Sequence, residues 1–359
     1  MFCIAAFVVL FVCGIFSAAY RELARKAWHC VLRRVTFRPC DINFSEEMKG
    51  KLLGKIILVH PRLARFLDRW IDVFAWIFAI LTVWSLASVS LAGLNLLIYD
   101  TCNPAHAENC SLSGEACSIS SYTPTFWESL RQGHPLQWFS TEAATLGDTI
   151  SLIPARFKTW KPEDYISAGN TFYHPVDPNK PWALEIVDPG CSACASLFAN
   201  IKTAGFENRY NLTYIAFPIP DPTTFSHYKF MNSYLIATYL EAMKQVVPAH
   251  PAGNVPPDWR LLERIYTGFD PGGVKWQERF NLSFDPDQVR RILGEFCKDF
   301  GYSDDQREQI AKLATSQEVA ARLVANKAVV ERQIRTVKIP TILFAGRRYD
   351  RVVTPQQLR

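Results

Sequence analysis

The chain has 359 residues, 49% of them hydrophobic and 13% aromatic, with only 20% charged and a net charge of +5. That content excludes a disordered or low-complexity protein, and 10 Cys in this length exclude a small disulfide-stapled scaffold. A mean hydropathy of zero is high for a soluble chain and low for a polytopic one, so a chain that is part membrane and part soluble is expected.

Residues 1–20 carry no charge and read as a first transmembrane helix. A cleaved signal peptide is the competing reading, but it wants positive charge ahead of the apolar run. Here the charge follows, at Arg21, Arg25 and Lys26. Residues 21–70 hold 12 Lys/Arg against 5 Asp/Glu, a net of +7, which leaves −2 for the rest of the chain. A basic block between two apolar runs points to membrane topology rather than nucleic acid, so no nucleic-acid partner is expected. The positive-inside rule places 21–70 in the cytoplasm.

Residues 71–99 read as a second transmembrane helix. The 27 positions between Asp72 and Asp100 lack any charge, and at about 1.5 Å per residue they are long enough to span. Trp76, Trp84 and Tyr99 are candidate interface anchors. Contact with membrane lipid follows, and everything after Tyr99 is expected to be periplasmic or extracellular.

Residues 100–169 read as an extracytoplasmic linker with short helices. Cys102, Cys110 and Cys117 lie in its Pro/Gly/Ser-rich loop, where an oxidising compartment would let them form a disulfide, leaving at least one free or paired elsewhere. A metal site is not expected, because no His completes a ligand spacing.

Residues 170–359 carry the chemistry. PWALEIVD (181–188) reads as a buried strand. Pro189 and Gly190 then turn the chain into a helix opened by Cys191-Ser192-Ala193-Cys194. Cysteines three apart on a first helical turn lie side by side. The partial positive charge of a helix N-terminus stabilises a thiolate at the first of them. Cys194, one turn deeper, can resolve a mixed disulfide. A zinc ribbon needs a second Cys pair, and a haem attachment needs His at 195, where Ala stands. Near the other end, Ile339-Pro340 precedes the strand TILFAG (341–346), with YDRVVT (349–354) as a partner strand in a hairpin. Between strand NLTYIAFPI (211–219) and Ile339, residues 225–335 read as mostly helical. Cys297 reads as a buried core cysteine of this segment or as a partner for the 102–117 loop.

The strand ALEIVD, the CSAC helix start and the later IPTILFAG resemble the thioredoxin superfamily. The long helical insertion resembles its DsbA-like oxidoreductases. The resemblance covers about 170–359. It implies an α/β thioredoxin-like domain with a helical insertion, preceded by the two transmembrane helices. It also implies that Pro340 is a cis-proline which, with Ile339, binds substrate backbone. Cys191 would be the nucleophile, Cys194 the resolving thiol, and Glu185 a buried acid that moves a proton. Client proteins with thiols or disulfides are the implied partners, with a quinone-linked membrane enzyme to re-oxidise the pair and no bound cofactor. Two departures stand out. Ser-Ala replaces the Pro-His between the cysteines of strongly oxidising relatives, and little chain remains for a closing helix after the hairpin. The expected function is a membrane-anchored extracytoplasmic thiol-disulfide oxidoreductase. The alternative is a non-catalytic thioredoxin-like binding module or scaffold of an envelope complex.

Overall fold

A computed structural model describes residues 25, 28, 29, 61–104, 115–119, 125–221, 223–246 and 255–359. The expected first transmembrane helix and most of the basic loop lie outside these residues. The chain divides into two compact units after Leu91.

Helix α1 spans Pro61–Tyr99. It begins twelve residues before the uncharged run, because Pro at a first helical turn is well placed and Arg/Leu-rich 62–70 continues the same helical period. Its segment Trp76–Tyr99, 24 residues long, is the one helix among the described residues long and apolar enough to cross a membrane. Ile80, Leu81, Val83, Leu86 and Val89 are exposed. This exposure suits lipid and would be unfavourable in water.

In the second unit, strand β1 (Cys117–Ser118) is followed by short helices α2 (Phe126–Arg131), α3 (Pro135–Ser151) and α4 (Ile153–Phe157). Thr125 and Glu128 form a capping box that starts α2. At the end of α1, Asn95 accepts a hydrogen bond from Thr149 of α3 at 2.9 Å.

Strand β2 (Trp182–Val187) leads through helix α5 (Ser192–Ala204) to β3 (Asn211–Ala216). The two strands are parallel, with Glu185 opposite Tyr214. Such a pair needs a crossover, which α5 supplies. Gly205 ends α5 at φ +60°, the left-handed position where a Cβ would be strained. Helices α6 (Ser233–Met243), α7 (Pro257–Thr267), α8 (Trp276–Leu282), α9 (Pro286–Asp299), α10 (Asp304–Ala314) and α11 (Gln317–Ala328) follow. Capping boxes at Asp285/Gln288 and Ser303/Gln306 start α9 and α10. Residues 225–232 are not helical, although the sequence suggested so; Tyr228 instead bridges Pro220 in the loop before α6.

The chain returns through β4 (Lys338–Ile339), β5 (Thr341–Phe344) and β6 (Arg347–Tyr349), and then the four-residue helix α12 (Pro355–Leu358). The β5–β6 hairpin turns on Ala345 and Gly346, both at positive φ. A two-residue turn of this kind matches the strand twist. It starts the partner strand at Arg347, earlier than the expected YDRVVT. The main sheet has strand order β3-β2-β5-β6, with β5 antiparallel to both neighbours. A parallel βαβ unit joined to an antiparallel hairpin, with a Cys pair opening the crossover helix and Pro before the hairpin, is a thioredoxin-like arrangement. A small second sheet pairs β1 with β4.

Candidate active site

The site forms where β2 ends. Burial leaves little choice of residue at this turn. An ideal Cβ on Gly190 would sit 2.4 Å from Phe230 Cβ. That atom is fixed to its own backbone, so only glycine fits. Asp188 holds the turn from beneath. Its Oδ1 accepts from the Gly190 N–H at 2.7 Å and from Ser233 Oγ at 2.6 Å, and its Oδ2 accepts from the Ile219 N–H at 2.7 Å. Burial nevertheless raises its pKa to about 6, against these three bonds.

The insertion contributes a second support. Gln277 Nε2 donates to the carbonyls of Pro189 (2.9 Å) and Cys191 (3.0 Å), and Asn281 Nδ2 donates to that of Gly190 (2.8 Å). Three consecutive loop carbonyls therefore each meet an amide from α8. Tyr266 of α7 donates its hydroxyl to the Asp188 carbonyl at 3.0 Å.

Cys191 is the N-cap residue of α5 and is fully buried. Its Sγ lies 3.7 Å from the carbonyl oxygen of Ile339, and the Ile339-Pro340 peptide is cis. The sequence-derived residues Cys191, Ile339 and Pro340 thus come together at one place, and Cys194 lies one helical turn inward. The disulfide is a different matter. Cys191 is bonded to Cys117, 74 residues earlier, and Cys194 is a free buried thiol. The loop cysteines therefore do not all pair among themselves, because β1 carries Cys117 onto β4 beside the helix start. Cys102 is disulfide-bonded, and Cys110 lies outside the described residues. Cys297 is a free buried thiol of α9, with its pKa pushed up to about 12 by burial. It is a core cysteine and does not bond the loop.

The Cys194 thiol is held well above its ordinary pKa, first by burial and then by the charges of Glu185 and Asp188; hydrogen bonds from the Asp188 backbone and Tyr266 work against this. Glu185 is fully buried in β2 between Tyr214 and Ile342. Neither carboxyl oxygen has a protein hydrogen-bond partner, and burial raises its pKa to about 8. It is therefore a neutral acid at neutral pH, close enough to Cys194 to act on its titration. Among the described residues no cluster of His, Cys, Asp and Glu suits a metal.

Sequence reasoning missed Cys117 as a partner, and Gln277, Asn281, Tyr266 and Ser233 as supports. The amides did leave a faint signal in WQERFNLSF, where Gln and Asn interrupt an aromatic run at a four-residue spacing.

No family model and no curated protein matches the chain. Among solved structures, it is similar to a thioredoxin-like oxidoreductase from Silicibacter pomeroyi, at 15% identity over 54% of this chain and 90% of that one, with a TM-score of 0.37. It is also similar to the thiol-disulfide exchange protein alpha-DsbA2 from Wolbachia pipientis, at 12% identity, 52% and 83% coverage and a TM-score of 0.36. A third is MdbA, a thiol-disulfide oxidoreductase from Corynebacterium diphtheriae, at 14%, 51% and 89%, with a TM-score of 0.37. Likeness at this level does not carry an activity across; the fold rests on the strand order itself.

Proposed function

We propose that the chain is a membrane-anchored thiol-disulfide oxidoreductase whose domain from about residue 170 acts outside the cytoplasm on client proteins through its CSAC motif. The observation that carries this reading is the juxtaposition of Cys191 Sγ with the Ile339 carbonyl at the start of α5, with the free Cys194 thiol buried behind it. Cys191 at the helix N-terminus forms the mixed disulfide with a client cysteine. Cys194 attacks Cys191 Sγ to release the client, and the ionised fraction of Glu185, which burial keeps small below about pH 8, takes the Cys194 proton and later returns it. Ile339 and Pro340 shape the groove that receives client backbone. The direction of net electron flow is set by the partner that restores the pair, and a quinone-linked membrane enzyme suits an oxidase. The exposed apolar helix Trp76–Tyr99 supports anchoring in lipid, and the bonded Cys117 and Cys102 suit a periplasmic or extracellular compartment.

Full burial of Cys191 favours a second reading, a non-catalytic binding module with a static disulfide. Activity separates the two. The full chain in detergent is assayed for disulfide exchange on a thiol-bearing peptide across glutathione poises. The expected result is exchange that falls to the uncatalysed rate in Cys191→Ser. Equal rates with and without Cys191, or a Cys191 disulfide that glutathione never reduces, would sink the enzyme reading.

A further inference from the structure

Three observations concern residues 115–119, which the reaction proposed above does not use. First, β1 pairs antiparallel with β4, Cys117 opposite Ile339 and Ser118 opposite Lys338, and the Ile119 N–H donates to the Val337 carbonyl at 2.9 Å. It is a strand added to a sheet edge, the way an extended peptide is bound by its backbone. Second, Cys191 is fully buried while this strand is present, so a client thiol has no path to its sulfur. Third, the strand is held by packing, with Cys117 and Ser118 buried and Ile119 against the core, and by polar contacts. The strand is two residues long. The Glu115 carbonyl accepts from the Val352 N–H at 3.1 Å, Ser196 Oγ meets Glu115 Oε2 at 3.3 Å, and Lys229 Nζ reaches the Ser118 carbonyl and hydroxyl at 3.4 Å. Among the described residues, the disulfide between Cys117 and Cys191 is the covalent tie, and a free thiol, Cys194, stands on the same helix.

We propose that residues 115–119 are a tethered stand-in for a client strand, that their disulfide to Cys191 closes the groove, and that passing this disulfide to Cys194 opens it. The proposal rests on the exchange chemistry assigned to Cys191 above. The step balances within the chain. Cys194, as thiolate, attacks Cys191 Sγ. The Cys117–Cys191 bond breaks, the Cys191–Cys194 bond forms, and Cys117 leaves as a thiolate that takes up the proton Cys194 gave. Nothing is oxidised or reduced overall, so no outside oxidant is needed. The open isomer presents an oxidised Cys191–Cys194 pair beside an empty β4 edge.

The closed isomer also displays the client. It is an extended polypeptide that runs antiparallel to β4, sets its cysteine opposite Ile339, and offers a backbone N–H two residues later to the Val337 carbonyl. An unfolded or loop cysteine meets this requirement, whereas a cysteine inside a helix has its N–H groups already committed. Because β1 is on the same chain, it competes at a high effective concentration. Only clients with a well-formed strand displace it.

The test is non-reducing peptide mapping of the full chain in detergent, after trapping thiols with an alkylating reagent, before and after a glutathione buffer is added. The expected map links Cys117 to Cys191 at first. Linkage of Cys191 to Cys194 then appears together with an alkylated Cys117. Ile119→Pro leaves every thiol in place but removes the bond to Val337. It should shift the isomer ratio toward Cys191–Cys194 by about fivefold, the effect of one backbone hydrogen bond. Cys117→Ser should start exchange with the peptide Glu-Ala-Cys-Ser-Ile without the lag shown by the unaltered chain. A map with only Cys191–Cys194 linkage from the outset, or a ratio that Ile119→Pro leaves unchanged, overturns the closure. The map is read without any activity. Loss of exchange in every variant therefore counts against the oxidoreductase reading alone, and the closure stands or falls on the linkages.

Discussion

Two segments of chain cover Cys191, and they hold on in different ways. Helix α8 grips the loop 189–191 through Gln277 and Asn281, three neutral hydrogen bonds that no redox change touches. Strand β1 covers the sulfur itself and depends on a disulfide. The loop must keep one shape through a cycle of bond making and breaking, so its support is non-covalent and lies to one side. Under the proposed closure the cover comes off, and it is tied by the disulfide that exchange at Cys191 would break. A support on the loop backbone and a cover on the sulfur separate rigidity from access.

Substitutions sharpen this contrast. Glu185→Gln has the largest expected effect, and it concerns the buried acid of β2 near Cys194. Glu185 titrates near 8 in the folded chain against 4.5 as its ordinary value. The folded chain holds the extra proton between those values, so stability is full below pH 4.5 and is lost as pH rises through 8. The limiting slope is on the order of 1.4 kcal/mol per pH unit. Glu185→Gln should flatten this slope in urea titrations from pH 5 to 9 and slow release of a client from its mixed disulfide. A slope unchanged in the variant would show that Glu185 is ionised in the fold.

Gly190→Ala comes next. Its methyl group meets Phe230 Cβ, so the loop must move, at a cost of about 1–3 kcal/mol. The cost should be the same with and without reductant, and a Tm difference between the two conditions would show that the loop's shape depends on β1. Gln277→Leu has the smallest expected effect, about 1–2 kcal/mol from the Pro189 and Cys191 carbonyls left without its amide. It too should be indifferent to reductant, whereas any stability change caused by Cys117→Ser should vanish once the unaltered chain is reduced. A Gln277→Leu effect that appears only under oxidising conditions would erase the distinction between support and cover.

Much of this site was legible in the sequence because it is local. A helix start with cysteines three apart, an apolar strand before it and Ile-Pro before a second strand each lie within ten residues, and periodicity and turn chemistry act at that range. Glu185 was legible as a polar residue inside an apolar strand. The partner of Cys191 was not. Cys117 reaches it across 74 residues of chain, and the register that brings it there is set by the β4 edge, which no local pattern announces. The carbonyl supports were hidden for a similar reason. Gln277 and Asn281 look like surface residues of an amphipathic helix until α8 is seen packed on the loop. The second hairpin strand was misplaced because Ala345 and Gly346 make the turn in two residues, and alternation alone could not show that.

In the exchange proposed above, the buried Cys194 thiol is a timer. With its pKa held well above the usual thiol value, only a small share is thiolate at neutral pH, and thiolate is the form that attacks. A strand joined to Cys191 therefore dwells there before it is released, and the dwell lengthens about tenfold for each unit of falling pH. During that wait, a weakly paired strand whose bond is broken by another thiol is lost, while a well-paired one remains until Cys194 acts. Slowness at the second sulfur thus becomes discrimination at the first.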